Sequence, residues 1–210
     1  MKNVINGEKL HEWVDSAFSC SFKKGFHTAY FKDSHYLMLL LTEVSEAVEA
    51  DRRGRRADVD GFRCALRELG DEYFSETFER YIKDSVEDEL ADVCIRLFDF
   101  CGLLGVSLSW FKDDDALAEA GEFWDALFGG ERSFTEQSFM LCSLITEAGC
   151  MIEQLDVEIE EERKKIREEL NAVFSFVYWW MDSMGMDIVF HIEQKMRYNE
   201  GRPARHGKRY

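Results

Sequence analysis

Acidic residues spaced three apart stand inside the otherwise apolar stretch LTEVSEAVEADRRG, residues 41–54. On a helix, Glu43, Glu46 and Glu49 would be neighbours, and like charges at that spacing cost roughly 0.2–0.5 kcal/mol per pair. At about 100° per residue, Glu43 borders the apolar arc, Glu46 lies about 60° further round, and Glu49 points to solvent. Two adjacent carboxylates beside apolar surface need a proton or a counter-charge, which a divalent cation such as Mg²⁺ can supply. The alternative is an ordinary solvated acidic face.

A second acidic pair follows in the stretch VEDELADVCIRLFDFCGLLG, residues 86–105. Glu89 and Asp92 share a helical flank opposite the main apolar arc, where they could complete a set of hard oxygen ligands. Arg96 lies four residues beyond Asp92, so a plain Asp92–Arg96 salt bridge is an equally open interpretation.

Basic residues collect at the end of the chain, in KMRYNEGRPARHGKRY, residues 195–210. Lys195 and Asn199 are four apart and share a helical face; Arg202 follows where the helix should break, and Lys208 lies further on. A point charge, a neutral donor and a guanidinium fork together suit the oxygens of a polyphosphate. The alternative is an exposed C-terminus with the cations usual at a helix end.

The elements that must position these residues are predicted to be helices throughout. Apolar periodicity near 3.6 recurs along the chain, strand patterns are scarce, and glycine-rich breaks separate the periodic segments. The predicted fold is all-α, a bundle of long antiparallel helices. Helices are expected near residues 8–18, 35–53, 57–69, 85–105, 115–127, 135–156, 158–183 and 186–198.

A faint internal repeat divides the chain. Residues 40–50 align with 144–154, and residues 87–108 align with 167–188, which pairs Glu43 with Glu147 and Glu89 with Glu169. We therefore expect two helix pairs packed as an internal pseudo-dimer, with a first repeat over 1–127 and a degenerate second repeat with the basic tail over 128–210. Chance similarity between amphipathic helices is the alternative.

The second repeat lacks half of the acidic residues of the first. Glu46 is matched by Cys150, and Asp92 by Ala172. One metal site per chain is therefore expected, in the first half, with structural roles for Glu147 and Glu169.

Composition restricts the classes of partner. The 210 residues carry 26 Lys and Arg against 42 Asp and Glu, a formal charge of −16, which repels nucleic acids and anionic membranes. The charged N-terminus does not read as a signal peptide, and no apolar run is long enough to cross a bilayer. The six cysteines form no CxxC pair, so we expect reduced, mostly buried thiols in a cytoplasmic protein.

The ordered motifs resemble those of the all-α nucleoside triphosphate pyrophosphohydrolases, the MazG-like superfamily that also includes the dimeric dUTPases. The signature is ExxE, then ExxD on a later helix, then a Lys-Asn-Arg element. It is matched by EVSE at 43–46, ELAD at 89–92 and KMRYNEGR at 195–202. The pattern spans most of the chain, and its order is more specific than any single piece.

The resemblance implies Mg²⁺-dependent hydrolysis of an NTP or dNTP to the monophosphate and pyrophosphate. It implies a metal held by Glu43, Glu46, Glu89 and Asp92, with water activated by Glu46 or Glu43, Glu46 being the preferred base. It also implies phosphate contacts from Lys195, Asn199, Arg202 and, in the tail, Lys208. Family members with one repeat assemble as dimers or tetramers; here the second half could replace a partner, so a monomer and a homodimer are both open.

This chain departs from the family pattern in two places. The segment between the two acidic motifs, residues 50–86, is long, and the Lys-Asn-Arg element follows the second repeat instead of the first. It is therefore open whether the basic element reaches the acidic motifs of its own chain.

Other functions are also considered. A di-iron bundle needs two Glu-x-x-His pairs on core-facing helices, and the sequence has only one such spacing, Glu8 with His11. A non-catalytic helical module that binds a nucleotide or another protein is the main alternative.

No motif in the sequence identifies the residues that recognise the base, although Trp13, Phe31, Tyr36 or Tyr198 could stack on it.

Overall fold

The computed structural model describes residues 5–108, 114–130 and 132–204, and for residues 114–119 it describes the backbone only. These residues form nine α-helices, one 3-10 turn (Asp71–Tyr73) and no strand, which confirms the predicted all-α class. None of the helices described is both long and apolar enough to span a membrane. The helices are α1 (Gly7–Lys23), α2 (Asp33–Arg52), α3 (Val59–Leu69), α4 (Phe74–Tyr81), α5 (Val86–Leu104), α6 (Asp114–Phe128), α7 (Phe134–Ile152), α8 (Glu160–Ser183) and α9 (Ile188–Gly201).

Helix α4 is the one that the periodicity did not predict. It has eight residues, and such short helices are marginal without tertiary contacts. Those contacts come from a separate aromatic core, in which Phe78 stacks on Tyr198 of α9 with ring centroids 4.5 Å apart. The long segment between the acidic motifs is therefore a small helical unit that packs on α9.

Helix α5 is the centre of the bundle and packs against α1, α2, α8 and α9. Its sequence is almost continuously apolar between the acidic positions, and the side chains of Leu90, Val93, Leu97 and Phe98 are fully buried. Ser85 caps the helix by accepting a hydrogen bond from the backbone N–H of Asp88. Because α5 is enclosed by other helices, its few polar side chains must lie in clefts between them.

The helices of the proposed repeat pack in matching pairs. Helix α2 packs on α5 and α7 packs on α8, while α2 also contacts α7 and α5 contacts α8. Both α5 and α8 end in a Schellman motif, made at Gly105 and at Gly185 by equivalent hydrogen bonds 80 positions apart in the sequence. Both glycines have a positive φ, the backbone geometry that this motif requires. The pseudo-twofold relation itself remains a prediction.

The cysteines are less buried than expected. All six are free thiols, but only Cys94 and Cys101 are buried, whereas Cys64 and Cys150 are exposed. The expectation of mostly buried thiols is therefore wrong. Helical periodicity places Cys64 and Cys150 next to apolar positions, but neighbouring helices leave those flanks uncovered.

Packing between α1 and α5 depends on a glycine. A Cβ atom at Gly102 would lie 2.5 Å from the Cβ of Phe18, closer than side chains can approach. We predict that Gly102→Ala lowers the free energy of unfolding by about 1–3 kcal/mol, because the two helices must separate to accommodate the methyl group. Denaturant unfolding measures this.

Gly121→Ala in α6 is the matched control, since nothing lies within 4 Å of the position that its methyl group would take. Alanine is the better helix former, so this variant should be neutral or stabilised by up to about 1 kcal/mol. Equal losses of stability in the two variants would contradict the close α1–α5 approach.

Candidate functional site

The predicted site residues line one cleft of about 250 Å³, bounded by α1, α2, α5 and α9. Among the described residues, the cleft holds all four predicted metal ligands and three of the four predicted phosphate contacts. The basic element therefore reaches the acidic motifs of its own chain. Lys208 lies outside the described residues. The residues brought together are Glu43, Glu46, Glu89, Asp92, Lys195, Asn199 and Arg202.

Three carboxylates converge where α2 packs on α5. One oxygen from each of Glu43, Glu46 and Glu89 lies within 4.8 Å of the others, a separation that lets one cation contact all three. Glu43 and Glu89 are buried, whereas Glu46 is exposed because it lies about 60° round α2 from Glu43, away from the apolar face. This trio of hard oxygen ligands fits a divalent cation such as Mg²⁺.

Asp92 is held by a lysine from α9. The Nζ atom of Lys195 lies 2.8 Å from Asp92 Oδ2 and 2.7 Å from Asp88 Oδ2, and the lysine is only 4% exposed. Burial lowers the pKa of Lys195, but the charges of Asp92 and Asp88 outweigh that effect and raise it above its usual value. Lys195 is therefore a buried cation that fixes the position of Asp92, and its contact with phosphate stays a prediction.

Arg96 pairs with Glu43 and not with Asp92. Its Nε donates to Glu43 Oε1 at 2.9 Å, across the contact between α2 and α5. The Asp92–Arg96 ion pair that the four-residue spacing allowed is not formed in the described structure, because Asp92 is engaged by Lys195.

Negative charge exceeds positive charge in the acidic part of the cleft. Burial, reinforced by the charges of Asp92 and Asp88, raises the pKa of Glu89 to about 8. Burial, reinforced by Asp92 and opposed by Arg96, also raises the pKa of Glu43. Burial raises the pKa of Asp88 to about 6 although Lys195 opposes it. The cluster therefore needs protons or a further cation at neutral pH.

Cations and amides form the other side of the cleft, at the C-terminal end of α9. The side chains of Asn199 and Arg202 are joined by a long contact of 3.5 Å from Arg202 Nη1 to Asn199 Oδ1. Lys24 donates to the backbone carbonyl oxygens of Glu200, at 2.8 Å, and Arg202, which ties the end of α1 to the end of α9. Lys83 lines the same cleft. These donors can receive an anion placed opposite the carboxylates.

Several members of the site were not predicted from the sequence. Asp88 pairs with Lys195, Arg96 pairs with Glu43, and Lys24 ties the end of α9 to α1, but Asp88, Arg96 and Lys24 belong to none of the three motifs of the resemblance. A usable signal was present for Asp88, because residues 88 and 92 are one helical turn apart and can share one buried lysine.

The aromatic residues suggested for base stacking do not line this cleft. Trp13, Tyr36 and Tyr198 are buried in the two hydrophobic cores, and Phe31 stacks on His35. Phe26, in the connection between α1 and α2, is the aromatic residue that borders the cleft within the part of the chain described.

The second half carries a different groove at the corresponding place. Glu147, Cys150 and Glu169 line a broad, shallow groove between α7 and α8. Burial, reinforced by Glu147, raises the pKa of Glu169. Two trios of carboxylates in the described chain have a spacing that could hold a metal ion, and both lie in the first half. One is the Glu43–Glu46–Glu89 trio, and the other consists of Asp84, Asp88 and Glu89.

Comparison with known proteins adds no relative. No family model, no curated protein and no solved structure matches the chain. The case for its function therefore comes from the residues and the geometry of the cleft.

The raised pKa of Glu89 makes the stability of the metal-free protein depend on pH. The unfolded chain releases this proton near its usual pKa of 4.5, whereas the folded chain keeps it up to about pH 8. Between those pH values the folded chain holds a proton that the unfolded chain has released. The free energy of unfolding therefore falls as the pH rises between them. We predict that Glu89→Gln is more stable than the unchanged protein at about pH 8, by more than about 1 kcal/mol, and that the gain shrinks towards pH 5.

Denaturant unfolding in the presence of a chelator, at both pH values, measures this difference. Glu161→Gln serves as the control, because Glu161 is exposed on α8, and it should follow the unchanged protein at both pH values. A Glu89→Gln variant whose stability advantage is the same at pH 5 and 8 would show that Glu89 is ionised in the folded chain.

Proposed function

We propose that the protein is a Mg²⁺-dependent nucleoside triphosphate pyrophosphohydrolase, which converts an NTP or dNTP to the monophosphate and pyrophosphate. The observation that carries the proposal is the single cleft that the Glu43–Glu46–Glu89 trio shares with Asn199 and Arg202. Carboxylates that can hold a divalent cation, opposite donors for phosphate oxygens, are what cleavage of a phosphoanhydride needs. The order of the motifs in the sequence supports the same reaction.

Water would attack the α-phosphorus, and the bond from that phosphorus to the bridging oxygen of the β-phosphate would break. Mg²⁺ bound by the trio would neutralise phosphate charge and lower the pKa of water. Asn199 and Arg202 would hold the phosphate oxygens, because both end in donors on the side of the cleft opposite the trio.

Glu46 is the best placed of the carboxylates to accept the proton from the attacking water. Glu43 already accepts from Arg96, and Asp92 from Lys195. Glu46 is exposed in the cleft, and no hydrogen bond or ion pair engages its side chain within the described structure. A general base must reach its proton directly, which favours a carboxylate with an unoccupied oxygen.

Lys195 is assigned a positioning role in this reaction. Because its Nζ lies between Asp88 and Asp92, removing it would leave a buried and a half-buried carboxylate without their cation. Its effect on phosphate would then be indirect, through Asp92, while Arg202 makes direct contact.

The reaction is tested by incubating the purified protein with a panel of NTPs and dNTPs and Mg²⁺, and measuring monophosphate and pyrophosphate. We expect turnover that stops on chelation. Glu46→Gln should lower kcat by about 100-fold or more, because the loss of the base and of one metal ligand together removes several kcal/mol of transition-state stabilisation.

Glu147→Ala is the matched control, since Glu147 is the residue of the second half that aligns with Glu43. It should keep the activity and the Mg²⁺ affinity of the unchanged protein. Full activity in Glu46→Gln would refute the site. Nucleotide binding without turnover of any nucleotide would instead favour a non-catalytic binding module.

A further inference from the structure

The cleft extends well beyond the carboxylate trio. It follows α5 from Glu89 to Asp99, ten residues that correspond to about 15 Å along the helix axis. The trio and Asp92 lie at one end. The other end of this stretch is marked by Asp99 on α5, and Phe26 and the facing surface of α1 also line the cleft. A triphosphate bound at the first end would direct its nucleoside towards this second end.

Asp99 is a buried carboxylate whose position is fixed. Its Oδ1 accepts a hydrogen bond of 2.7 Å from Nε2 of His27, and only 8% of its side chain is exposed. Asp99 borders the cleft, and His27 engages only one of its two oxygens, which leaves Oδ2 to accept from a donor in the cleft.

His27 fixes the carboxylate as an acceptor. Its ring is packed against Phe18 and Tyr36, with centroids 5.2 Å and 5.9 Å away, and its Nδ1 has no hydrogen-bond partner in the described structure. The proton therefore belongs on Nε2, where it is donated to Asp99, and the other nitrogen stays bare against apolar rings. The hydrogen bond from His27 to Oδ1 thus fixes the orientation of the Asp99 carboxylate beside the cleft.

The walls around this oxygen are small or flat. Helix α1 contributes a face of short side chains one turn apart, and the aromatic ring of Phe26 closes the end of the cleft. Short side chains leave room for a planar ring, and an aromatic side chain provides a surface on which a planar ring can pack. The short side chains are Ser16, Ala17, Cys20 and Ser21.

We propose that this end of the cleft binds the nucleobase and that Asp99 accepts a hydrogen bond from an exocyclic amino group of the base. The proposal rests on the proposed function for the placement of the triphosphate. It assigns the substrate class as nucleotides of cytosine or adenine, with the 4-amino or the 6-amino group of the base as the donor. Uracil and hypoxanthine place a carbonyl oxygen at the same position, and two acceptors that face each other without a donor repel.

Matched nucleotide pairs test the proposal. Binding of α,β-methylene analogues of CTP and UTP, and of ATP and ITP, is measured by calorimetry with Mg²⁺, alongside turnover of the natural nucleotides. Within each pair the two bases have nearly the same size. We expect the amino-bearing base to bind about 10-fold to 100-fold more tightly in at least one pair.

Two variants separate the hydrogen bond from ring packing. In Asp99→Asn the amide oxygen can still accept from His27 while the NH₂ group faces the cleft. The ratio of affinities within a pair should therefore fall to one or reverse in favour of the base with the carbonyl group. Phe26→Leu should weaken binding of both members of a pair to a similar extent and leave their ratio unchanged.

The outcomes are distinguishable from failure of the proposed reaction. Selective binding without turnover would contradict the proposed reaction and support the assignment of the base-binding end. Turnover without an amino preference in either pair keeps the reaction and overturns the assignment. The assignment is also overturned if no analogue binds, if Asp99→Asn keeps the original ratio, or if it changes only the ratio between ribose and deoxyribose nucleotides.

Discussion

The molecule depends on one electrostatic imbalance, in which five carboxylates meet two cations where α2, α5 and α9 pack together. Lys195 and Arg96 each bind carboxylates, yet Glu89 still keeps a proton up to about pH 8 and Glu46 has no partner in the described structure. Burying ionised groups without compensation costs several kcal/mol per ion, so a fold that gathers them loses stability unless a ligand completes the site. This cost supports the proposal that the cluster binds a cation.

The surrounding helices hold this cluster in place by apolar contacts away from it. The α3–α4 unit packs its aromatic side chains on Tyr198, one turn beyond Lys195, and Lys24 ties the end of α9 to α1. These contacts explain how α9 can keep a lysine buried among carboxylates. The long segment between the acidic motifs, which departs from the family pattern, therefore supports the position of the basic element.

Sequence periodicity was sufficient for eight of the nine described helices, because each depends on which face of a helix is apolar. The convergence of the acidic pairs was predicted from the resemblance and not from periodicity. It could not choose the partner of Arg96. Residues 92 and 96 are neighbours on α5, but the choice of Glu43 depends on how α2 crosses that helix and on Lys195 arriving from α9. Helix α4 was not predicted because its stability comes from contacts with α9, which is distant in sequence. Asp99 was not predicted as a site residue because its partner, His27, is also distant in sequence.

The same alignment that predicted the repeat suggests why the groove of the second half differs from the cleft of the first. At an offset of 80, Arg96 corresponds to Phe176 and Asp99 to Trp179. Phe176 is fully buried and packs edge-on against Trp124 of α6, while the Trp179 indole N–H donates to Asp125 of the same helix. Helix α6 therefore covers the face of α8 that corresponds, in the alignment, to the cleft-lining face of α5. If the two halves share an origin, exchanging charged residues for aromatic ones turned one costly polar face into core, and the stability gained there can offset the carboxylates kept in the other half.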